Sequence, residues 1–498
     1  MPGKVLMVVG TTSSAGKSLL VAALCRIFAR RGVRVAPFKA QNMSNNAAVC
    51  PDGSEIGRAQ AVQAAAAGIE PTAEMNPVLL KPEADTRSQA VVLGRAWRTV
   101  PAHVYYREDA GVLWRAVTTS LDHLREQYEL VVIEGAGSPV ELNLKARDIV
   151  NMAVARYAQA PTLLVGDIDR GGVFAQLLGT LWLLEPEERA LIKGLVVNKF
   201  RGDLTLFTDG IRLLEERGGV PVLGVVPYLH DLGIPEEDAV ALDGPAPQAE
   251  EGEIDLAVIH LPLISNFDDF DPLTEEPGVH VRYVTTAQEL GHPHAVILPG
   301  SKSTVADLAW LREQGLAQQI QQFAAEGGAV VGICGGYQML GQLIRDPDHV
   351  ESSRDEVLGL GLLPTVTTFQ GAKATHRVCA HITGGGAWLA ALQGQACVGY
   401  EIHMGRTEGA TPWLEISQRG EEPVAVPDGA LTHDGRVWGG YWHGRFENNS
   451  FRRAWLQSLG WEAPCLAEHV RSRQEAGFER LADAVEAALD MRLLEGLL

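Results

Sequence analysis

The stretch Val5-Leu6-Met7-Val8-Val9-Gly10-Thr11-Thr12-Ser13-Ser14-Ala15-Gly16-Lys17-Ser18 decides the fold of the first half of this chain. Its apolar run reads as a strand buried on both faces, and the small polar loop after it opens a helix with Leu20, Leu24 and Ile27 on one face. Strand, small-residue loop, Gly-Lys-Ser and helix in that order make a P-loop. Backbone N–H groups around Thr12 and Gly16 hold phosphates, Lys17 neutralises them, and Ser18 offers a hydroxyl to Mg²⁺. The spacing departs from the usual pattern: six steps rather than five separate Gly10 from Gly16, and Thr11 stands where the first glycine is expected.

Outward from this loop, short β-branched runs at 33–38, 130–133, 161–165, 195–197 and 222–226 alternate with longer amphipathic stretches. That βαβ rhythm predicts a doubly wound α/β domain with a parallel sheet over residues 1–235. Glu134 ends one of these strands, which puts a hard oxygen ligand for Mg²⁺ at the ligand-binding edge of the sheet beside Ser18. Lys39, just after the second strand, is a further cation for phosphates, and the Asn198 amide is placed to read a purine edge. ATP with Mg²⁺ is the expected ligand of this half.

Residues 236–253 lose all periodicity in acidic and Gly-Pro-Ala-Pro segments and read as a linker. A second βα series over 254–460 starts at Asp255-Leu256-Ala257-Val258-Ile259, and 461–498 reads as a C-terminal helical extension. Within the second series, Val330-Val331-Gly332-Ile333-Cys334-Gly335-Gly336-Tyr337-Gln338 places a cysteine between glycines where a strand turns into an apolar helix, expected over 339–343. This is a nucleophile elbow, whose tight turn needs the glycines and whose helix N-terminus offers N–H groups to an oxyanion. The loop at Gly300, in Pro299-Gly300-Ser301-Lys302-Ser303, supplies further N–H groups. A base is then required; His443, in Gly440-Tyr441-Trp442-His443-Gly444, is the first candidate and His403 its rival.

The chain has 498 residues, 42 basic against 62 acidic, for a net charge of −20, which argues against a protein that coats nucleic acid or an anionic membrane. At 46% hydrophobic and 21% charged it has the composition of a folded globular protein of two to four domains. No stretch reaches about 18 uninterrupted apolar residues, the first ten residues read as a strand rather than a leader, and six cysteines without a CxxC pair argue against a disulfide framework. A cytoplasmic enzyme is expected; oligomeric state is not legible.

Several long segments taken together carry a resemblance. Phe38-Lys39-Ala40-Gln41-Asn42-Met43-Ser44-Asn45-Asn46, Asp167-Ile168-Asp169-Arg170-Gly171-Gly172-Val173-Phe174, Gly399-Tyr400-Glu401-Ile402-His403-Met404-Gly405 and the Cys334 elbow resemble those of the cobyric acid synthases. In that family a dethiobiotin-synthetase-like ATP domain precedes a class I glutamine amidotransferase domain, and the extra P-loop residue is similar to the dethiobiotin-synthetase variant. The resemblance implies amidation of four peripheral carboxylates of adenosylcobyrinic acid a,c-diamide, with glutamine as nitrogen donor and ATP as activator. It implies Cys334 as nucleophile, His443 as base, Gly300 and Gly335 as oxyanion donors and Gln338 as the residue that orients glutamine. Lys81, Arg87 and Arg170 lie in or near segments that resemble the family's and are candidate cations for an anionic corrinoid. The sister enzyme, cobyrinic acid a,c-diamide synthase, shares both domains; a partitioning-ATPase-type nucleotide switch with an inactive amidotransferase module is the non-enzyme alternative. One position departs from the wider amidotransferase pattern: Arg445 stands two residues after His443, where Glu is usual, and the family is similar in lacking that Glu. For the group that orients His443, Glu447, a backbone carbonyl and no partner at all remain open.

Overall fold

Strand β1 (Lys4–Gly10) sends Val5, Met7 and Val9 into one apolar core and Leu6 and Val8 into another, so alternate residues serve the two faces of one buried sheet. With β2 (Val35–Phe38), β3 (Leu130–Glu134), β4 (Thr162–Asp167), β5 (Ile192–Phe200) and β6 (Val222–Pro227) it forms a six-stranded sheet in the order β2-β3-β1-β4-β5-β6. All neighbours are parallel. The order reverses at β1, which places the crevice of a doubly wound fold at its carboxyl end, where the P-loop enters α1 (Lys17–Arg30). Between β2 and β3 the chain makes α2 (Arg58–Ala66) and a separate sheet of 41–43, 78–84, 87–92 and 95–101, which the periodicity did not announce.

The second half is built on β7 (Ile254–Ile259), β8 (Val279–Val284), β9 (Ala295–Leu298), β10 (Ala329–Ile333) and β11 (Val437–Gly440), parallel in the order β8-β7-β9-β10-β11. Two long antiparallel strands, Val366–Ile382 and Ala396–Glu408, head a second, mixed sheet. Trp413, Trp438, Trp442, Trp455, Phe446 and Phe451 are buried together beneath the end of β11. Each such ring contributes about 3 to 5 kcal/mol against truncation to alanine, so the loop that carries His443 rests on a rigid floor. The chain is thus an α/β protein with two parallel-sheet halves.

This computed structural model describes residues 2–84, 87–101, 110–235, 249–386, 388–462 and 470–498. Most of the expected linker, at 236–248, and residues 463–469 of the expected extension lie outside them. The helix after Cys334, α3 (Gly335–Leu340), starts earlier and stops sooner than the 339–343 expectation, because Gly341 turns to extended backbone and Leu343–Arg345 becomes a strand. The C-terminal helix α4 (Val470–Ala488) returns to the first half. Its Phe478, Leu481, Ala482 and Val485 share a core with Leu20, Leu24 and Ile27 of α1, while Arg26 and Arg30 pair with Glu475, Glu479 and Asp483. The apolar contact dominates, since exposed ion pairs are worth at most about 1 kcal/mol each.

Candidate active sites

At the carboxyl end of β1 the loop closes on itself. Lys17 Nζ donates to the carbonyls of Thr12 at 2.8 Å, Ser13 at 3.1 Å and Gly137 at 3.2 Å. Gly16 has φ +91°, and a Cβ there would collide with the Asn198 amide, which donates to Ala15 O at 2.9 Å. A side chain at that position would be both strained and crowded, which accounts for the glycine. Ser18 Oγ donates to Glu134 Oε1 at 2.9 Å, and Lys39 Nζ donates to the same oxygen at 2.9 Å. The other oxygen, Oε2, accepts from Gln63 Nε2 of α2 at 2.5 Å. Lys17, Ser18, Lys39 and Glu134 therefore meet at one sheet edge, with Thr12, Gly16 and Asn198 around them. Lys199, next to Asn198, donates to Ser14 O at 2.7 Å and pairs with Asp167 at 3.0 Å.

One carboxylate and one hydroxyl beside a phosphate loop suit Mg²⁺, which keeps several waters and takes one or two protein oxygens. Among the described residues no group of three or more His, Cys, Asp or Glu forms a metal cluster. The residues that would hold such an ion are Ser18 and Glu134.

Cys334 is pinched between strand ends in the second half. Its backbone lies at φ 50°, ψ −107°, a conformation that costs a non-glycine residue about 1 to 3 kcal/mol. The turn is held by Cys334 N to Gly440 O at 3.0 Å and Gly336 N to Pro299 O at 3.0 Å, and a Cβ on Gly336 would collide with Leu298 O. The thiol lies 3.5 Å from Ile402 O. Gly300 pairs with Ser265, and a Cβ on it would stand 3.4 Å from His443 Cε1, so the Gly300 loop borders the imidazole. Gln338 spends its amide on protein groups: Oε1 accepts from Thr304 at 2.8 Å and Nε2 donates to Tyr441 at 3.2 Å.

His443 is buried and has a carboxylate partner that no motif announced. Its Nδ1 lies 2.6 Å from Asp269 Oδ2, and Asp269 Oδ1 accepts from Gly444 N at 2.8 Å. This corrects the sequence expectation: the group that orients His443 is neither Glu447, nor a backbone carbonyl, nor absent. It is a carboxylate brought from Phe267–Phe270, a segment between β7 and β8. Burial disfavours the imidazolium, but the Asp269 charge and hydrogen bond, with a further bond to Cys334, raise its pKa to about 9. Asp269 stays below the ordinary carboxylate range in spite of burial, for the reciprocal reason.

His403 lies across the same cavity, with Nδ1 2.8 Å from Gly405 O and its ring stacked on Tyr441 at 3.8 Å. Asp307, which the sequence also did not single out, accepts from Ser301 Oγ at 2.6 Å and so braces the Gly300 loop; burial pushes its pKa up to about 7.

The three candidate corrinoid cations do not converge. Lys81 is buried against Glu55 at 2.6 Å, with Lys373 on the other Glu55 oxygen at 2.5 Å, and Arg87 pairs with Glu83 at 3.4 Å. Both line the cavity over Cys334, so the first half supplies part of the wall of the second site. Arg170 is exposed in the loop after β4.

Comparison with known proteins identifies the family of the whole chain. A model described as "CobQ/CobB/MinD/ParA nucleotide binding domain" matches residues 6–239, and one described as "CobB/CobQ-like glutamine amidotransferase domain" matches 255–451. The chain is 58% identical to the cobyric acid synthase of Chloroflexus aurantiacus, with 100% of both chains covered. It is 57% identical to that of Chloroflexus aggregans, over 100% of this chain and 99% of the relative. Against that of Moorella thermoacetica it is 50% identical, over 99% and 97%.

Proposed function

Because the chain belongs to the cobyric acid synthases, which carry out glutamine-dependent amidation in cobalamin biosynthesis, we propose that its two sheet edges divide that reaction between them. One observation carries this reading: a thiol, an imidazole and a buried carboxylate meet at one edge while a P-loop faces Glu134 at the other.

In the second half, Cys334 Sγ attacks the glutamine side-chain amide. His443, whose Nδ1 is engaged by Asp269, takes the thiol proton at its other nitrogen and returns it to the leaving ammonia. Glutamyl thioester remains, and water releases glutamate. Backbone N–H groups of the Gly300 and Gly335 loops stabilise the oxyanion, and Gln338, fixed by Thr304 and Tyr441, sets the wall against which glutamine lies. His403, already engaged with Gly405 O and stacked on Tyr441, serves as a wall rather than as the base.

In the first half a substrate carboxylate, a poor electrophile, takes the terminal phosphoryl group of ATP to give an acyl phosphate and ADP. Ammonia then forms the amide and displaces phosphate. Lys17 and Lys39 neutralise phosphate charge, Thr12 and Gly16 belong to the loop whose backbone wraps it, and Asn198 braces that loop next to where a purine sits. Ser18 and Glu134 would hold Mg²⁺, which when bound withdraws charge from phosphate oxygens. Arg170, exposed at this edge, is the candidate contact for a corrinoid carboxylate. Lys81 and Arg87 act at the glutamine cavity instead. Among the described residues no helix is long and apolar enough to cross a membrane, and the cytoplasm is the proposed compartment.

Incubation with ATP, glutamine and a corrinoid a,c-diamide is expected to add up to four amides, counted by mass, with one ATP cleaved for each. A product that stops at two amides on unamidated cobyrinic acid would place the chain with the sister activity.

Asp269→Asn is expected to lower glutamine hydrolysis by about a hundredfold or more, whereas Glu447→Gln leaves it near normal. Losing the anion also lowers the His443 pKa; because His443 must be unprotonated to take the thiol proton, the acid limb of the pH profile moves down from near 9 towards 6.5. An unmoved limb in Asp269→Asn, or a loss of hydrolysis confined to Glu447→Gln, would refute the assignment.

A further inference from the structure

Arg58 opens α2 in the nucleotide-binding half, yet its guanidinium ends in the glutamine half. One nitrogen lies 2.7 Å from the Tyr400 hydroxyl and 2.8 Å from Asp268 Oδ2, with side chains only 16% and 7% exposed for Arg58 and Asp268. Both contacts border His443. Tyr400 stacks on the imidazole with ring centroids 5.1 Å apart and planes 12° off parallel, and the two residues exchange backbone bonds of 3.2 and 2.8 Å. Asp268 is the chain neighbour of Asp269, the His443 partner.

Two adjacent buried carboxylates repel each other, and burial pushes the Asp268 carboxyl above its ordinary range while Arg58 pulls it back. Among the described residues Asp268 Oδ1 has no hydrogen-bond partner, so the Arg58 contact on Oδ2 is what fixes that carboxylate. Asn266 Nδ2 joins from the same segment, donating to the Tyr400 hydroxyl at 3.1 Å. The segment bearing Asp269 and the strand bearing Tyr400 are thereby clamped to each other by a residue of the other half.

We propose that Arg58 is a positioning residue for glutamine hydrolysis, contributed by the nucleotide-binding half. It holds Asp268 and Tyr400 so that Asp269 and the Tyr400 ring keep His443 in register with Cys334. This rests on the reading of Cys334 and His443 as the glutamine site, which Cys334→Ala tests separately.

The experiment uses the full chain with Arg58→Ala, Arg58→Lys and, as a docking control, Arg377→Ala. Arg377 also crosses between the halves, to Val49 O and Glu70 at 2.8 Å each. Arg58→Ala is expected to lower kcat for glutamine hydrolysis at least about tenfold, with KM for glutamine and ammonia-dependent amidation within about twofold. Arg58→Lys, which keeps a charge towards Asp268, recovers part of kcat, and Arg377→Ala leaves it unchanged. An unchanged kcat in Arg58→Ala, a rise in KM alone, or an equal drop in Arg377→Ala would overturn the proposal. If Arg58→Ala loses both activities, Tyr400→Phe decides, because it removes only the hydroxyl that Arg58 and Asn266 hold. A kcat loss confined to glutamine hydrolysis supports the clamp, and an unchanged kcat overturns it. A Cys334→Ala enzyme that still hydrolyses glutamine would refute the site reading itself.

Discussion

Cys334→Ala is expected to abolish glutamine-dependent amidation, by about a thousandfold or more, which corresponds to about 4 kcal/mol of lost transition-state stabilisation. Amidation with an ammonium salt in place of glutamine should continue at close to the parent rate, because the thiol serves only to release nitrogen and the carboxylate is activated elsewhere. The substitution is structurally mild. Alanine keeps the Cβ and therefore the same strained backbone at φ 50°, and besides its bond with His443 the thiol makes only a long contact, to Ile402 O at 3.5 Å, among the described residues. Measuring ATP-driven amidation with each nitrogen source in parallel checks the result. Equal loss with both sources in a folded variant would mean that Cys334 does not divide the labour in this way.

Lys17→Ala should have the opposite signature: loss with both nitrogen sources, by about a hundredfold or more, while glutamine hydrolysis measured alone persists. Carboxylate activation precedes attack by ammonia from either source, so no nitrogen donor can bypass it. Lys17 is 4% exposed and its ammonium lies among the carbonyls of Thr12, Ser13 and Gly137, so the positive charge sits where phosphate oxygens enter and cannot be replaced by solvent. Near-normal ammonia-dependent turnover in Lys17→Ala would remove the P-loop from the reaction.

The two variants also show what kind of information the chain carries openly. The P-loop and the cysteine elbow are contiguous: strand, tight turn and helix start lie within about a dozen residues, and the turn geometry itself demands the small residues that mark it. His443 was legible more weakly, as a histidine shortly after a strand with glycine on both sides of its segment. Asp269 left one trace, an Asp268-Asp269 pair between Phe267 and Phe270. Nothing in that trace says which carboxylate faces a histidine 174 positions later.

The same limit explains Lys81 and Arg87. As cations in family-like segments they suit an anionic substrate, but the side sheet that carries them turns them onto the cavity over Cys334. Helix α4 shows it again: the C-terminal segment reads as helix, and only packing tells that its partner is α1, more than 400 residues earlier in the chain.

By itself the amino-acid sequence determined the parallel sheet of the first half, the βα series of the second, the strand-loop-helix of the P-loop and the cysteine turn between β10 and α3. These rest on hydrophobic period and turn chemistry, which act over a few residues. Tertiary structure alone decided that Asp269 meets His443, that Arg58 reaches Asp268 from the opposite half, and that the first half lines the cavity over Cys334. Those contacts join strand ends and loops far apart in sequence, where burial in a low-dielectric interior, and not local spacing, selects which charge meets which.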